Sequence, residues 1–165
     1  MSEFDGKVVM VTGAAGNLGA AVAASFAALG CRLALLDRSA ERLEQAREEL
    51  DLPSTTLLLP TDLTAGDSVA AAVETAVTRF GRVDVLANIA GGFTMGPPLH
   101  ETADGDWDLM MELNVRSVFN TCRAVVPHML RQGGGRIVNV SARAALEGKA
   151  RMGPYCASKA AVRTL

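Results

Sequence analysis

Tyr155 and Lys159 stand four residues apart in Tyr155-Cys-Ala-Ser-Lys159. On a helix, positions i and i+4 share a face, so a phenol and an ammonium would point into one cleft. A free phenol with a pKa near 10 is a poor base at neutral pH, and lowering it by about two units needs roughly 3 kcal/mol. A cation about 4 Å away supplies roughly 4 kcal/mol at an effective dielectric near 20, enough to make the pair a working acid/base. Such a pair needs a partner substrate and a helix that aims both side chains at it.

The rest of the composition narrows the chemistry. The chain has 165 residues and is 49% hydrophobic, one domain by length with material for a substantial core. A net charge of −2 without clustered Lys and Arg argues against nucleic-acid binding. Cys31, Cys122 and Cys156 form no CxxC pair, which suits a reduced, cytoplasmic setting. No basic, apolar leader stands at the N-terminus and no uncharged apolar run approaches a membrane span. His100 and His128 are isolated and read as solvated, so no metal site is expected.

Short apolar runs alternate with helical patterns, the signature of an α/β fold: a doubly wound parallel sheet with helices on both faces. Strands are expected at Lys7–Thr12, Arg32–Leu36, Thr56–Pro60, Val83–Ala87 and Arg136–Val140. Helices are expected at Asn17–Leu29, at Ala40–Leu50 with Ser39 as cap, and at Ala65–Phe80 with Gly81 as stop. A single long helix is expected over roughly Asp106–Gln132, with the apolar stripe Trp107, Met111, Val115, Val118, Cys122, Val125 and Met129. Asp104, Asp106 and Asp108 at its start complement the helix dipole and lack calcium-loop spacing.

Thr12-Gly-Ala-Ala-Gly-Asn-Leu-Gly19 joins the first strand to the first helix. In a dinucleotide site Gly13 permits the tight turn, Gly16 lets the backbone approach a phosphate, and Gly19 allows close helix–strand packing. The helix N-terminus then offers unpaired amides to a pyrophosphate. Asp37 ends the second strand, 18 residues after Gly19, where a carboxylate accepts from ribose hydroxyls and repels a 2′-phosphate. That favours NAD over NADP, although Arg38 beside it is the residue type that meets such a phosphate. Asp62-Leu63 and Asn88-Ile-Ala-Gly91 follow the third and fourth strands, at the carboxyl ends where open sheets bind ligand. Read alone, Asp62 is equally a helix cap and Gly91 equally a turn.

Together these residues resemble the short-chain dehydrogenase/reductase family: the TGxxxGxG-like turn at Thr12–Gly19, Asp37, Asp62-Leu63, Asn88-Ile-Ala-Gly91, Asn114 and the Tyr155/Lys159 pair. The resemblance implies a Rossmann fold and an NAD(P)-dependent oxidoreductase interconverting an alcohol and a carbonyl. It implies Tyr155 as general acid/base, Lys159 as the residue that lowers its pKa and holds the nicotinamide ribose, and Asn114 as support for a water in the proton relay. For Asn114 the alternative is a structural hydrogen bond of a buried amide. Cofactor contacts are implied for Gly13, Gly16, Asn17, Leu18, Gly19, Asp37, Arg38, Asp62, Leu63, Asn88, Ala90, Gly91, Tyr155 and Lys159. The implied partners are a small carbonyl or alcohol and, as this family pairs its long and Tyr-bearing helices between subunits, a homo-oligomer (dimer or tetramer).

Three departures stand out. Asn17 occupies the place of the family's middle glycine, where Asn tolerates a left-handed backbone. The family's catalytic serine falls 13 residues before the tyrosine; here that position is Ala142, with Ser141 one place earlier. Adjacent strand residues face opposite sides, so Ser141 is no simple substitute. Losing an oxyanion-type donor costs about 10²–10³ in turnover. The Ser141–Gly148 stretch with Met152 and Tyr155 looks like dihydropteridine reductase, a member lacking that serine, whose quinonoid substrate needs less carbonyl polarisation; a non-catalytic dinucleotide-binding module is a further alternative. Finally, Val162 and Leu165 are spaced as a helix face with no capping residue after them. Residues 1–165 therefore read as a single dinucleotide-binding domain, incomplete at its C-terminus after the fifth strand and the start of the next helix.

Overall fold

A computed structural model describes residues 3–165. Five strands, β1 (Val8–Thr12), β2 (Arg32–Asp37), β3 (Leu57–Pro60), β4 (Val85–Asn88) and β5 (Arg136–Asn139), form one sheet in the order β3-β2-β1-β4-β5. Every pairing is parallel. The registers Thr12 with Leu36 and Asn88, Asp37 with Pro60, and Asn88 with Asn139 bring all carboxyl ends to one edge. Chain order reverses between β1 and β4, so a crevice opens at that edge, where the connections diverge to opposite faces.

Strands buried on both faces read as unbroken apolar runs, and Val8–Val11 are fully buried. One face packs Met10, Leu36 and Leu86 against Val69 and Val73 of α3 (Gly66–Phe80) and Val125 and Met129 of α5 (Ser117–Arg131). The other packs Val9, Val11 and Leu35 against Ala23 of α1 (Asn17–Ala28) and Leu43 of α2 (Ala40–Glu49). Ser39 caps α2 by accepting from the Arg42 amide at 3.2 Å, and Gly81 ends α3 at φ +81°. Strand bounds shift by one or two residues from the sequence expectation.

At the opposite edge of the sheet Asp84 is a structural anchor. Its carboxylate accepts from the Val8 amide at 2.9 Å and from two nitrogens of Arg82, with Lys7 at 3.7 Å. Burial alone would raise its pKa; the Val8 amide and the Arg82 and Lys7 charges outweigh it and hold the group below the usual carboxylate range.

The long helix differs from expectation. It runs as α4 (Asp104–Met110), a π turn (Met111–Arg116) and α5, which tolerates Pro127 in its interior. A π turn inserts a residue and rotates everything before it. The buried stripe is accordingly Met110, Asn114, Val118, Val125 and Met129, while Trp107, placed on the stripe by simple periodicity, is 41% exposed. His128 also departs from its solvated reading: its Nε2 lies 3.0 Å from Glu74 and its Nδ1 2.7 Å from Arg131. The last helix, α6 (Gly153–Thr164), begins with Pro154 in its first turn and carries Tyr155 and Lys159.

Candidate active site

A cleft of about 670 Å³ lies along the carboxyl edge. Gly13, Gly16, Asn17, Leu18 and Gly19 form one wall, Asp37, Arg38, Asp62 and Leu63 one end, and Ala90 and Gly91 the other. Gly13 has φ +63°, and a methyl there would lie 2.8 Å from the Cα of Ala90. A methyl on Gly19 would collide with the Gly13 carbonyl, so that glycine is fixed by packing. Gly16 is the N-cap of α1 at φ −91° and offers no side-chain cap, leaving the first amides of α1 unclaimed at the cleft. Asn17 is simply the first helical residue; positive φ occurs among described non-glycine residues only at Asp51 and Arg151. Its tolerance of the left-handed region is therefore not called upon, because the left-handed position of this turn is Gly13.

Asp37 accepts from the Ala15 amide through Oδ2 at 3.2 Å. Arg42, which the sequence reading did not single out, donates to the Ala15 carbonyl at 2.8 Å and also lines the cleft. Arg38 extends to Asp62, 3.8 Å away, with its side chain 84% exposed. Asp62 is not the N-cap of α3, a position held by Ala65; its Oδ1 accepts from the Thr64 amide and hydroxyl at 3.0 and 2.7 Å. The Thr64 hydroxyl, then its amide, hold the Asp62 carboxylate below its ordinary range. Leu63 is anchored through its carbonyl, which accepts from Asn120 at 3.0 Å.

Asn88 does not line the cleft. It is 2% exposed, accepts from the Thr121 hydroxyl at 2.8 Å and donates to Asn139 at 2.9 Å, binding β4 to β5 and α5. Thr12, also absent from the sequence-based set as an individual residue, holds the turn after β4: its hydroxyl oxygen accepts from the Ile89 and Ala90 amides at 3.0 and 3.1 Å.

Beyond Gly91 lie Asn114, Tyr155 and Lys159. A methyl on Gly91 would lie 2.6 Å from Oδ1 of Asn114 and 3.0 Å from Nζ of Lys159, so both side chains stand directly behind the cleft wall. Lys159 is 6% exposed, donates to the Val140 carbonyl at 2.9 Å, and has its pKa pushed down by burial. Tyr155, half-buried, meets Phe93 edge-on, with ring centroids 4.9 Å apart at 83°. Asn114, inside the π turn and fully buried, accepts from the Gly92 amide at 2.9 Å and donates to the Gly92 carbonyl at 3.1 Å and to Ser158 at 3.0 Å. Its side-chain amide is thus occupied by protein on both atoms. Ser141 donates to the Lys159 carbonyl at 2.7 Å, tying β5 to α6, and Ala142 offers no donor.

The family model for short chain dehydrogenases matches residues 7–165. The chain belongs to the short-chain dehydrogenase family. A D-threitol dehydrogenase of Mycolicibacterium smegmatis is 38% identical over 157 residues, covering 94% of this chain and 60% of the relative. A 2-(R)-hydroxypropyl-CoM dehydrogenase of Xanthobacter autotrophicus is 41% identical over 163 residues, covering 96% and 65%. Among solved structures, an NAD+-bound xylitol dehydrogenase superposes with a TM-score of 0.92 at 34% identity, covering 99% of this chain and 63% of that one. This short-chain dehydrogenase chain therefore spans 60–65% of the length of these relatives. Among the described residues no helix is long and apolar enough to cross a membrane, and no group of three or more potential ligands could hold a metal ion.

Proposed function

We propose that the protein is an NAD(P)-dependent oxidoreductase that interconverts a small alcohol and its carbonyl, with Tyr155 as the general acid/base. The observation that carries this is the meeting of two independent features on one wall. Gly91 lines the cleft that begins at the Gly13–Gly19 turn, and Lys159 and Asn114 stand directly behind it. The residues present fit a dinucleotide: unclaimed amides at the start of α1, the Asp37 carboxylate at the far end, and a glycine wall between them.

When bound, the nicotinamide supplies or accepts the hydride. Tyr155 protonates the carbonyl oxygen in reduction and takes the proton back in oxidation. Lys159, one helical turn away, sets a positive charge beside the reacting centre and is held there by the Val140 carbonyl. Asn114 keeps the Gly92 peptide, and hence the cleft wall, in place. Asp37 at the ribose end, with Arg38 turned to Asp62, supports NAD over NADP.

Replacing Tyr155 by Phe is expected to abolish turnover and spare NADH binding; near-normal turnover in that variant would overturn the assignment. A dihydropteridine reductase-like activity is the second reading. It is favoured by one specific feature, the commitment of Ser141 to the Lys159 carbonyl beside a donor-free Ala142. Parallel assays with a quinonoid dihydropterin and simple ketones separate the two.

A further inference from the structure

Past the turn held by Thr12, the segment from Gly91 to Pro97 has neither helix nor strand, yet it is pinned at two points. At Gly92, both the amide and the carbonyl are bonded to the side chain of Asn114. At Gly96, the amide donates to the Arg151 carbonyl at 2.9 Å, and the carbonyl accepts from Arg151 Nε at 3.0 Å. Phe93 lies between these pins, its ring against that of Tyr155.

Arg151 sits at φ +63°, a left-handed conformation that a side chain with a Cβ rarely adopts. Such strain persists where surrounding structure over-determines it, and it clusters at functional sites. Here the turn aims the main-chain carbonyl and the guanidinium of one residue at the same glycine. Nothing in local propensity asks for this. An exposed loop free to choose would place a glycine at the left-handed position and leave Gly96 to water.

We propose that Arg151 is a positioning residue for Tyr155. It closes the second pin of the Gly92–Gly96 strap and so keeps Phe93 seated on the phenol ring. The inference rests on Tyr155 being the acid/base. Arg151 itself touches neither that ring nor the cleft; it acts through the strap. An edge-to-face pair fixes ring orientation, and a reacting oxygen displaced by a fraction of an ångström loses turnover without losing cofactor affinity.

The chain contains a single tyrosine, so ring-labelled tyrosine gives one NMR signal, shifted by the neighbouring Phe93 ring. Arg151→Gly relieves the backbone strain, keeps the main-chain bond and deletes the side-chain one. It is expected to move the Tyr155 signal toward its position in Phe93→Leu. It should also lower kcat by about tenfold, the scale of one aromatic pair, with NADH affinity unchanged. Arg151→Lys, which keeps a donor, should restore most of both. Phe93→Leu, at a half-exposed site, tests the same ring contact without touching Arg151.

An unmoved Tyr155 signal in Arg151→Gly overturns the proposal, as does a parallel loss of NADH affinity and helical signal, which would mark general damage. If the wild-type protein bound NADH but reduced no carbonyl, the functional reading would fall. The NMR comparison would still decide the strap.

Discussion

Gly13 and Gly16 belong to the same turn but should fail in different ways. At Gly13 an alanine meets two penalties. The left-handed backbone, φ +63°, costs about 1–2 kcal/mol for a residue with a Cβ. The methyl would also lie 2.8 Å from the Ala90 Cα and 3.0 Å from its amide nitrogen, main-chain atoms that cannot swing aside. Overpacking of that kind costs roughly 1–3 kcal/mol, giving about 2–5 kcal/mol in total. For a domain of this size, that lowers the melting temperature by on the order of 10 °C. At Gly16 the backbone, φ −91° and ψ 162°, suits any residue, and the nearest atom to a methyl is the Gly13 carbonyl oxygen at 3.4 Å. Replacing an N-cap glycine by alanine loses a few tenths to about 1 kcal/mol, and the stiffer unfolded chain returns about as much. Stability should therefore hardly change. The added methyl nonetheless projects at the cleft beside the free amides of α1, and NADH affinity should fall by at least about tenfold, as close backbone approach is lost. Thermal melts with and without NADH separate these effects. The wild type should gain about 2.7 kcal/mol at a hundredfold excess of ligand over its dissociation constant, whereas Gly16→Ala at the same NADH concentration should gain about 1.4 kcal/mol or less. A Gly13→Ala protein that melts with the wild type would refute the steric argument. A Gly16→Ala protein as destabilised as Gly13→Ala would refute the division of labour.

Lys159 has a pKa lowered by burial from the ordinary 10.5, so the unfolded chain binds more protons between the two values. Wild-type stability should rise as pH climbs through that window, and urea midpoints of Lys159→Met should lack the rise; equal slopes would contradict it. Asp84 gives a slope of the same sign in the acid range. With its folded pKa below 3.8, it contributes stability present above that value and lost as pH falls through the folded one. Asp84→Asn should lose about 1–3 kcal/mol at neutral pH through its weakened bonds to Arg82, with the gap to wild type closing in acid; a gap that persists in acid-titrated urea melts would assign the loss to packing. Ala142→Ser restores a donor at the position where the family keeps one. It should raise kcat for simple ketones by about tenfold or more and leave a quinonoid dihydropterin unaffected, and a steady-state comparison that shows no gain with ketones would count against a carbonyl substrate.

The features legible in the sequence were those that local rules enforce. Fully buried parallel strands must be continuous apolar runs, so β1 and β2 announced themselves through Val8–Val11 and Leu33–Leu36. Gly13 was legible because only glycine fits both its φ and its distance from Ala90. The π turn was not, because a helical stripe tolerates a one-residue slip; Met111 and Met110 are interchangeable to any periodicity argument, yet Met110 is the buried one. The side-chain partners of Asn88, the last residue of β4, were not legible either: Thr121 and Asn139 lie 33 and 51 residues away.

The same distinction explains why the Tyr155 end of the candidate site was read less completely than the glycine-turn end. The glycine turn is built from consecutive residues, and its sterics are written into their types. The Tyr155 end is assembled by side-chain bonds between residues far apart in the chain: Asn114 with Gly92, Asn114 with Ser158, Lys159 with Val140, and Arg151 with Gly96. None of those partners is constrained by its neighbours in sequence. Arg151 is the extreme case, since arginine is not a type that signals a left-handed backbone, and its conformation makes sense only once Gly96 stands opposite. Backbone-built sites can thus be read from spacing, whereas the aim of an acid/base depends on contacts that only the folded chain creates.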